Sequence, residues 1–209
     1  MPDPVVHIAG TGSFAAEVIE FAQAAGFRVA GLVEPIDPAR IGGEAHGLPI
    51  LDPAAPPRPG APVVVAVGQG RLRIRRMLAD AGWGAETIAH PSAVVSPSAV
   101  IGAGVVIAPL VVIGAQARVG DHALLGRGAL VGHHTTIGEG STLNPGANIA
   151  GSVTLGDAVT VGMGAAVAPL MTVGDGALIA AGAVVVRDVP AGVRVQGVPA
   201  REFATEGIW

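Results

Sequence analysis

From Val95 to Val185 every sixth residue is aliphatic: Val95, Ile101, Ile107, Ile113, Val119, Leu125, Val131, Ile137, Leu143, Ile149, Leu155, Val161, Val167, Val173, Ile179 and Val185, sixteen in succession with no insertion. The residue that follows is usually glycine, as at Gly102, Gly114, Gly120, Gly126, Gly132, Gly138, Gly156, Gly162 and Gly174. The residue four places on is usually Ala, Val, Ser or Thr. Six is the period of neither a helix at 3.6 nor a strand at 2, so the repeat itself is the structural unit. Short flat strands with a turn every six residues, three faces to a coil of eighteen, make a parallel β-helix. One aliphatic side chain per face points inward and stacks on its equivalents above and below.

The first 86 residues follow another pattern. Pro4 to Ala9 reads as a buried strand running into Gly10-Thr11-Gly12, and Phe14 to Ala25 as an amphipathic helix closed by Gly26. A second strand covers Arg28 to Val33. Residues 35–60, rich in Pro and Gly, are expected to be mostly loop, with a short extended piece at Leu48 to Leu51. Pro62 to Val67 is a third strand, Gly68-Gln69-Gly70 follows, and a helix runs from about Arg71 to Ala81. This order predicts an α/β Rossmann-like module over residues 1–86, ahead of the all-β domain at 87–209 that His90-Pro91 opens. After Val185 the chain leaves the period and ends in a short tail.

Composition narrows the partners. The mean hydropathy is +0.59, yet the longest apolar runs fall well short of the roughly 18 residues a membrane span needs, so no membrane insertion is expected. Residues 1–4 lack the charged and apolar regions of a secretory signal, which points to the cytoplasm. Zero cysteines exclude disulfides, thiolate metal ligands and a cysteine nucleophile. A net charge of −4 and few aromatic residues argue against nucleic acid.

Two places carry candidate chemistry. Gly10-Thr-Gly12-Ser13-Phe14-Ala15 sits between strand and helix, where glycines let a phosphate approach the backbone and the helix start favours its charge. Glu34, ending the next strand, stands where a ribose-binding acid is expected. The other reading of the turn is close strand–helix packing by small residues. So small a module suits a mononucleotide better than a dinucleotide. Arg71, Arg73, Arg75 and Arg76 crowd the start of the second helix, where the macrodipole disfavours cations, marking either an anionic ligand or a solvated basic face.

The second place is His133-His134, at a turn between faces. Residues eighteen apart lie about 4.8 Å apart in a β-helix, so Gly151 stacks on His133 and Ser152 on His134. A general base beside an exposed amide donor is what acyl transfer needs. The alternative is two polar turn residues. A histidine metal site is not expected: among His90, His122, His133 and His134 no pair is five residues apart, as in trimeric β-helices that carry zinc.

The sequence resembles the bacterial hexapeptide-repeat sugar O- and N-acetyltransferases of the sialic acid, UDP-4-amino-sugar and GDP-perosamine type. The resemblance rests on Gly10-Thr-Gly12 with Glu17-Val18, Gly47-Leu-Pro-Ile, Ala66-Val-Gly68 with its arginines, and His90-Pro-Ser-Ala-Val-Val. It continues in Gly132-His133-His134-Thr-Thr-Ile-Gly138, Asn144-Pro-Gly146, Gly151 and Gly197-Val-Pro-Ala-Arg201. It implies a left-handed β-helix, a homotrimer, and acetyl-CoA bound between neighbouring subunits. His133 matches the catalytic base and Gly151 the amide facing the thioester carbonyl. Met163 and Ala181 match the pantetheine path, and Thr142 counts with them on the cofactor side. Gly10, Gly12, Ser13, Phe14, Glu34, Pro35, Gly68 and Gln69 match positions that contact the nucleotide-sugar. The pattern departs at His134, where the family usually has Asp or Glu, and at Thr142, where it has a second histidine. Phe14 replaces a common His, Glu34-Pro35 a paired Asp, and Gln69 an Asp or Asn. The expected activity is acetyl transfer from acetyl-CoA to an amino group of a nucleotide-activated sugar. O-acetylation of a sugar hydroxyl and a noncatalytic trimeric scaffold are the alternatives.

Overall fold

A computed structural model describes residues 3–68 and 70–203. The chain divides into two compact units, Met1–Pro91 with Ala103–Val106, and Ser92–Gly102 with Ile107–Trp209.

In the first unit β1 (Val5–Ala9), α1 (Ser13–Ala24), β2 (Arg28–Val33), β3 (Glu44–Ala45), β4 (Leu48–Leu51), β5 (Pro62–Val65), α2 (Arg71–Asp80), β6 (Gly84–Ala85) and β7 (Ile88–Ala89) follow one another. The sheet order is β3-β4-β2-β1-β5-β6, parallel except for the β3–β4 pair. The stretch expected to be loop thus holds a 3-10 turn at Pro38–Arg40 and a small hairpin. β1 alternates: Ala9, with Val33, Val63 and Val65, packs on Ile74 and Leu78 of α2 and on Trp83. His7 joins that side, with its ring 5.2 Å from Trp83 edge-on and its Nδ1 3.1 Å from the Pro62 carbonyl. Burial pushes the His7 imidazole below its usual value, so it folds in uncharged. From β1 the chain turns one way to β2 and the other way to β5. Gly10, Glu34 and Gly68, which follow these three inner strands, are thereby gathered at the carboxyl ends of the strands, and the direction of strand order reverses between β1 and β5.

The second unit is a parallel β-solenoid of the left-handed β-helix type. Its two-residue strands stack eighteen residues apart, as in Val112↔Leu130, Arg118↔Thr136 and Leu124↔Thr142. The first face carries Val94–Val95, Val112–Ile113, Leu130–Val131, Asn148–Ile149, Ala166–Val167 and Val184–Val185. The second carries Val100–Ile101, Arg118–Val119, Thr136–Ile137, Thr154–Leu155 and Thr172–Val173; the third includes Leu124–Leu125, Thr142–Leu143, Thr160–Val161 and Leu178–Ile179. The second residue of almost every pair is buried and forms the aliphatic column. Each such burial contributes roughly 1.5–3 kcal/mol.

The stack outlasts the six-residue period. Val189 bridges to Val173, and Arg194–Gln196 pairs with the third face through Ile179↔Val195, so the last coil spans sixteen residues instead of eighteen. Arg201–Glu202 then pairs antiparallel with Arg194–Gln196.

Glycine after the aliphatic residue answers a close approach between coils. A Cβ on Gly138 would lie 2.2 Å from the Gly156 carbonyl oxygen, and one on Gly132 2.5 Å from the Gly151 nitrogen. Both obstacles are backbone and cannot swing aside. Gly138→Ala is therefore expected to cost about 3 kcal/mol through overpacking. Gly176→Ala, at φ +66 with open space around it, should cost only the left-handed strain of about 1 kcal/mol. Urea denaturation of both variants tests this, and equal losses would refute the close-contact explanation.

Candidate functional site

The glycine turn is built by its neighbours. Gly10 has φ +131, and a Cβ there would fall 2.7 Å from the Ala66 carbonyl oxygen, so only glycine lets β1 pass its neighbour into the turn. Gly12 differs: beyond its own chain neighbours, nothing crowds the place where its Cβ would be. It caps α1 without a side-chain hydrogen bond, and Ser13 beside it is exposed. Phe14 and Pro35 are half-buried, and Gly68 is exposed. Gln69 lies outside the described residues.

Glu34 is 5% exposed, and its carboxylate is held from within. The Thr11 hydroxyl donates to Oε2, and the Ile36 and Asp37 amides donate to Oε1 at 2.9 and 3.1 Å. The Arg40 guanidinium donates to the Thr11 hydroxyl and sits 3.8 Å from Oε2. Burial alone would raise this carboxyl. The hydrogen bonds from Thr11, Asp37 and Ile36, with the charge of Arg40, outweigh it and hold the pKa below the usual value. Glu34 ties the loop after β2 onto the glycine turn. His46 adds a second tie, with Nε2 3.3 Å from the Gly12 carbonyl. Thr11, Arg40 and His46 carry no sequence signal for these contacts: Arg40 and His46 lie in the Pro- and Gly-rich stretch, and Thr11 sits between two glycines.

Of the four arginines, Arg73 and Arg76 are exposed and Arg75 is half-buried, while Arg71 is buried. The Arg71 guanidinium donates to the Gly68 carbonyl at 3.3 Å, and burial pulls its pKa down to about 10, which leaves it cationic at neutral pH.

In the β-solenoid His133 and His134 occupy the turn between the first and second faces, both exposed, with His134 at φ +59. Their Nδ1 atoms are 3.0 Å apart and the rings nearly perpendicular, at 86°. Gly151 lies against His133: a Cβ on it would meet Cε1 and Nε2 of the imidazole at 2.7 Å each. Among the described residues nothing accepts a hydrogen bond from the Gly151 amide. One corner on, the equivalent amides are capped from the next coil, Glu139 donating to Asp157 Oδ1 at 2.7 Å and Asp157 to Asp175 Oδ1 at 2.9 Å. The residue eighteen beyond Gly151 is Pro169, which has no acceptor side chain. The same eighteen-residue count applied upward would have found it.

The other positions lie elsewhere on the solenoid. Thr142 is on the third face, opposite the His133 corner, with Leu143 beside it pointing inward. Met163, 60% exposed, and Ala181 stack one coil apart at the corner between the third and first faces. One chain brings His133, His134 and Gly151 together, and separately Met163 and Ala181.

A family model of the GMPPB C-terminal domain matches residues 84–169. No curated protein matches the chain. Among solved structures, a variant of perosamine N-acetyltransferase from Caulobacter crescentus in complex with CoA and GDP-perosamine is 35% identical, with 96% of this chain and 97% of that chain covered and a TM-score of 0.89. The chain belongs to the hexapeptide-repeat sugar acetyltransferases. The acetyltransferase domain of PglB from Neisseria gonorrhoeae FA1090, in complex with acetyl coenzyme A, is 28% identical over 96% of this chain and 100% of that one, at a TM-score of 0.83. WeeI from Acinetobacter baumannii AYE shares the fold at 24% identity, covering 95% of this chain and 99% of that one, with a TM-score of 0.85. Among the described residues no group of three or more His, Asp or Glu side chains is placed to hold a metal ion, and no helix is long and apolar enough to cross a membrane.

The Glu34 network gives a stability prediction. Its folded pKa lies below the ordinary 4.5, so its stabilisation is present above that pH and is lost as pH falls through the folded value. Glu34→Gln should lower unfolding free energy at pH 7 by about 1.5–3 kcal/mol, the worth of hydrogen bonds to a charged group. The gap from wild type should narrow in acid. A gap unchanged between pH 7 and pH 3 in urea titrations would show the carboxylate charge to be immaterial.

Proposed function

We propose that this acetyltransferase moves the acetyl group of acetyl-CoA directly to an amino group of a nucleotide-activated sugar, with His133 as general base. The observation that carries the reading is the His133–Gly151 pair: an imidazole lying against a glycine whose amide is left free. If His133 carries its proton on Nδ1 and donates it to His134 Nδ1, the Nε2 lone pair remains on the Gly151 side. His134 then does with a neutral imidazole what a carboxylate would do, holding the productive tautomer. The amine nitrogen attacks the thioester carbonyl carbon and gives its proton to Nε2. The Gly151 amide donates to the oxyanion that forms. Collapse breaks the C–S bond, and the departing sulfur takes the proton back from the imidazolium. The amide product and CoA thiol leave His133 as it began.

The acceptor side is assigned to the N-terminal unit, a Rossmann-like module in which Gly10, Gly12, Ser13, Phe14, Glu34, Pro35 and Gly68 line the nucleotide-sugar site. The open space at Gly12 supports this, since packing of the chain itself does not require glycine there. Glu34 contributes by holding Thr11, Arg40 and the following loop in place. The cofactor side takes Met163, Ala181 and Thr142 from a neighbouring subunit of a cytoplasmic homotrimer. Two features support the neighbour's role: their corner and face are remote from His133 in one chain, and the first face exposes the apolar column Val94, Val112 and Leu130 (62%, 41% and 42% exposed).

The test is CoA thiol release from acetyl-CoA with a panel of GDP- and UDP-linked 4-amino-sugars and their 4-hydroxy counterparts. Turnover of the amino-sugars is expected, and turnover of hydroxyl acceptors alone would mark an O-acetyltransferase. His133→Ala should lower kcat by about 10²–10⁴-fold, the usual contribution of a general base. Wild-type activity in that variant would remove His133 from the mechanism.

Two further variants check the pair itself. Gly151→Ala should leave the melting temperature nearly unchanged, because the imidazole can swing away, yet lower kcat by about 100-fold through misplacement. His134→Ala should lose about tenfold or more, whereas His134→Glu, which supplies an acceptor for Nδ1–H, should retain activity. Equal rates for His134→Ala and wild type would deny His134 its orienting role.

A further inference from the structure

We infer that Thr135 is a positioning residue that holds the Gly151 turn open, an inference resting on the role proposed for Gly151. At most corners of the solenoid the turn closes on itself. The amides of Ala117, Ala129, Ala147, Ala165 and Ala177 donate to the carbonyls three residues earlier, at Gly114, Gly126, Asn144, Gly162 and Gly174, over 3.0–3.3 Å. The turn carrying Gly151 and Ser152 does not. There the Thr135 hydroxyl, from the coil below and fully buried, lies between the two groups that would otherwise pair. It donates to the Ala150 carbonyl at 2.8 Å and accepts from the Val153 amide at 3.3 Å. Both ends of the two-residue loop that carries the free amide are therefore held by one side chain.

The hydroxyl comes from the residue next to the histidine pair, and the Ser152 backbone amide donates to the His133 carbonyl at 2.8 Å. Position and orientation of the Gly151 amide relative to the imidazole are thus set through a rigid link inside the solenoid. Without the hydroxyl the turn either closes on the Ala150 carbonyl or leaves two buried polar groups unpaired, and each outcome rotates the Gly151 peptide.

The molecule supplies its own control. Ser141 makes the same insertion one corner on, donating to the Gly156 carbonyl at 2.8 Å and accepting from the Val159 amide at 2.9 Å. That corner carries Asp157 and Ala158 and none of the proposed chemistry.

The experiment compares Thr135→Val, Thr135→Ser and Ser141→Ala in thermal melts and in steady-state kinetics with acetyl-CoA and whichever amino-sugar wild type turns over. Thr135→Val and Ser141→Ala should lose similar stability. Only Thr135→Val should lower kcat, by about 10- to 100-fold, with KM for acetyl-CoA within about twofold of wild type. Thr135→Ser, which keeps the hydroxyl, should stay within about twofold of wild-type kcat. If Thr135→Val does not fold, Thr135→Ala is read in its place. Equal kcat losses at positions 135 and 141, or none at 135, would overturn the inference and leave the proposed activity standing. Absence of wild-type turnover with every acceptor would overturn the proposed activity itself.

Discussion

Everything in the solenoid depends on the pairing of each strand with the one eighteen residues on. That ladder satisfies the backbone polar groups between coils, and it brings successive coils so close that a side chain after the aliphatic residue would collide with the backbone of the next coil, as at Gly132 and Gly138. The aliphatic column supplies the stabilisation, and the glycines permit the spacing at which it forms. A change of even one residue in coil length would turn inward positions outward. The last coil escapes that consequence by dropping two residues together, which keeps Val189 under Val173 and Val195 under Ile179.

The same rigidity makes a solenoid corner a good place for chemistry. Many turn residues are exposed, as His133 and His134 are, and their spacing along the axis is set by the ladder. Most corner positions are occupied structurally: Asp157 and Asp175 cap amides, and Ala residues close the turns. The corner of His133 breaks both habits. Its next coil offers glycine, the coil after that offers proline, and a hydroxyl opens the turn between them. The proposed donor and base would be preorganised by that combination, of which the hydroxyl alone recurs, at Ser141.

The N-terminal unit works by another logic. There a sheet gathers strand ends, and side chains from an irregular segment complete the edge. Glu34 illustrates the difference: its place at the end of β2 follows from strand order, but its partners come from Thr11, Arg40 and the amides of the following loop. Its carboxylate is held by the protein's own donors, because a buried carboxylate without them would be too costly.

Periodicity by itself determined the solenoid, its three faces, its inward column and the contact of Gly151 with His133, since each follows from counting residues along a regular backbone. The alternation of strand and helix likewise placed Gly10, Glu34 and Gly68 at strand ends. Tertiary structure decided what counting cannot reach: the Nδ1–Nδ1 contact of the histidine pair, the Thr135 hydroxyl inserted into the turn at Gly151, the tie of the Glu34 carboxylate to Thr11 and Arg40, and the sixteen-residue last coil. The physical reason is the range of the interactions. Backbone ladders repeat, so one period specifies them all. Side-chain hydrogen bonds depend on rotamers and on partners that no period supplies, and they exist only once the chain has folded.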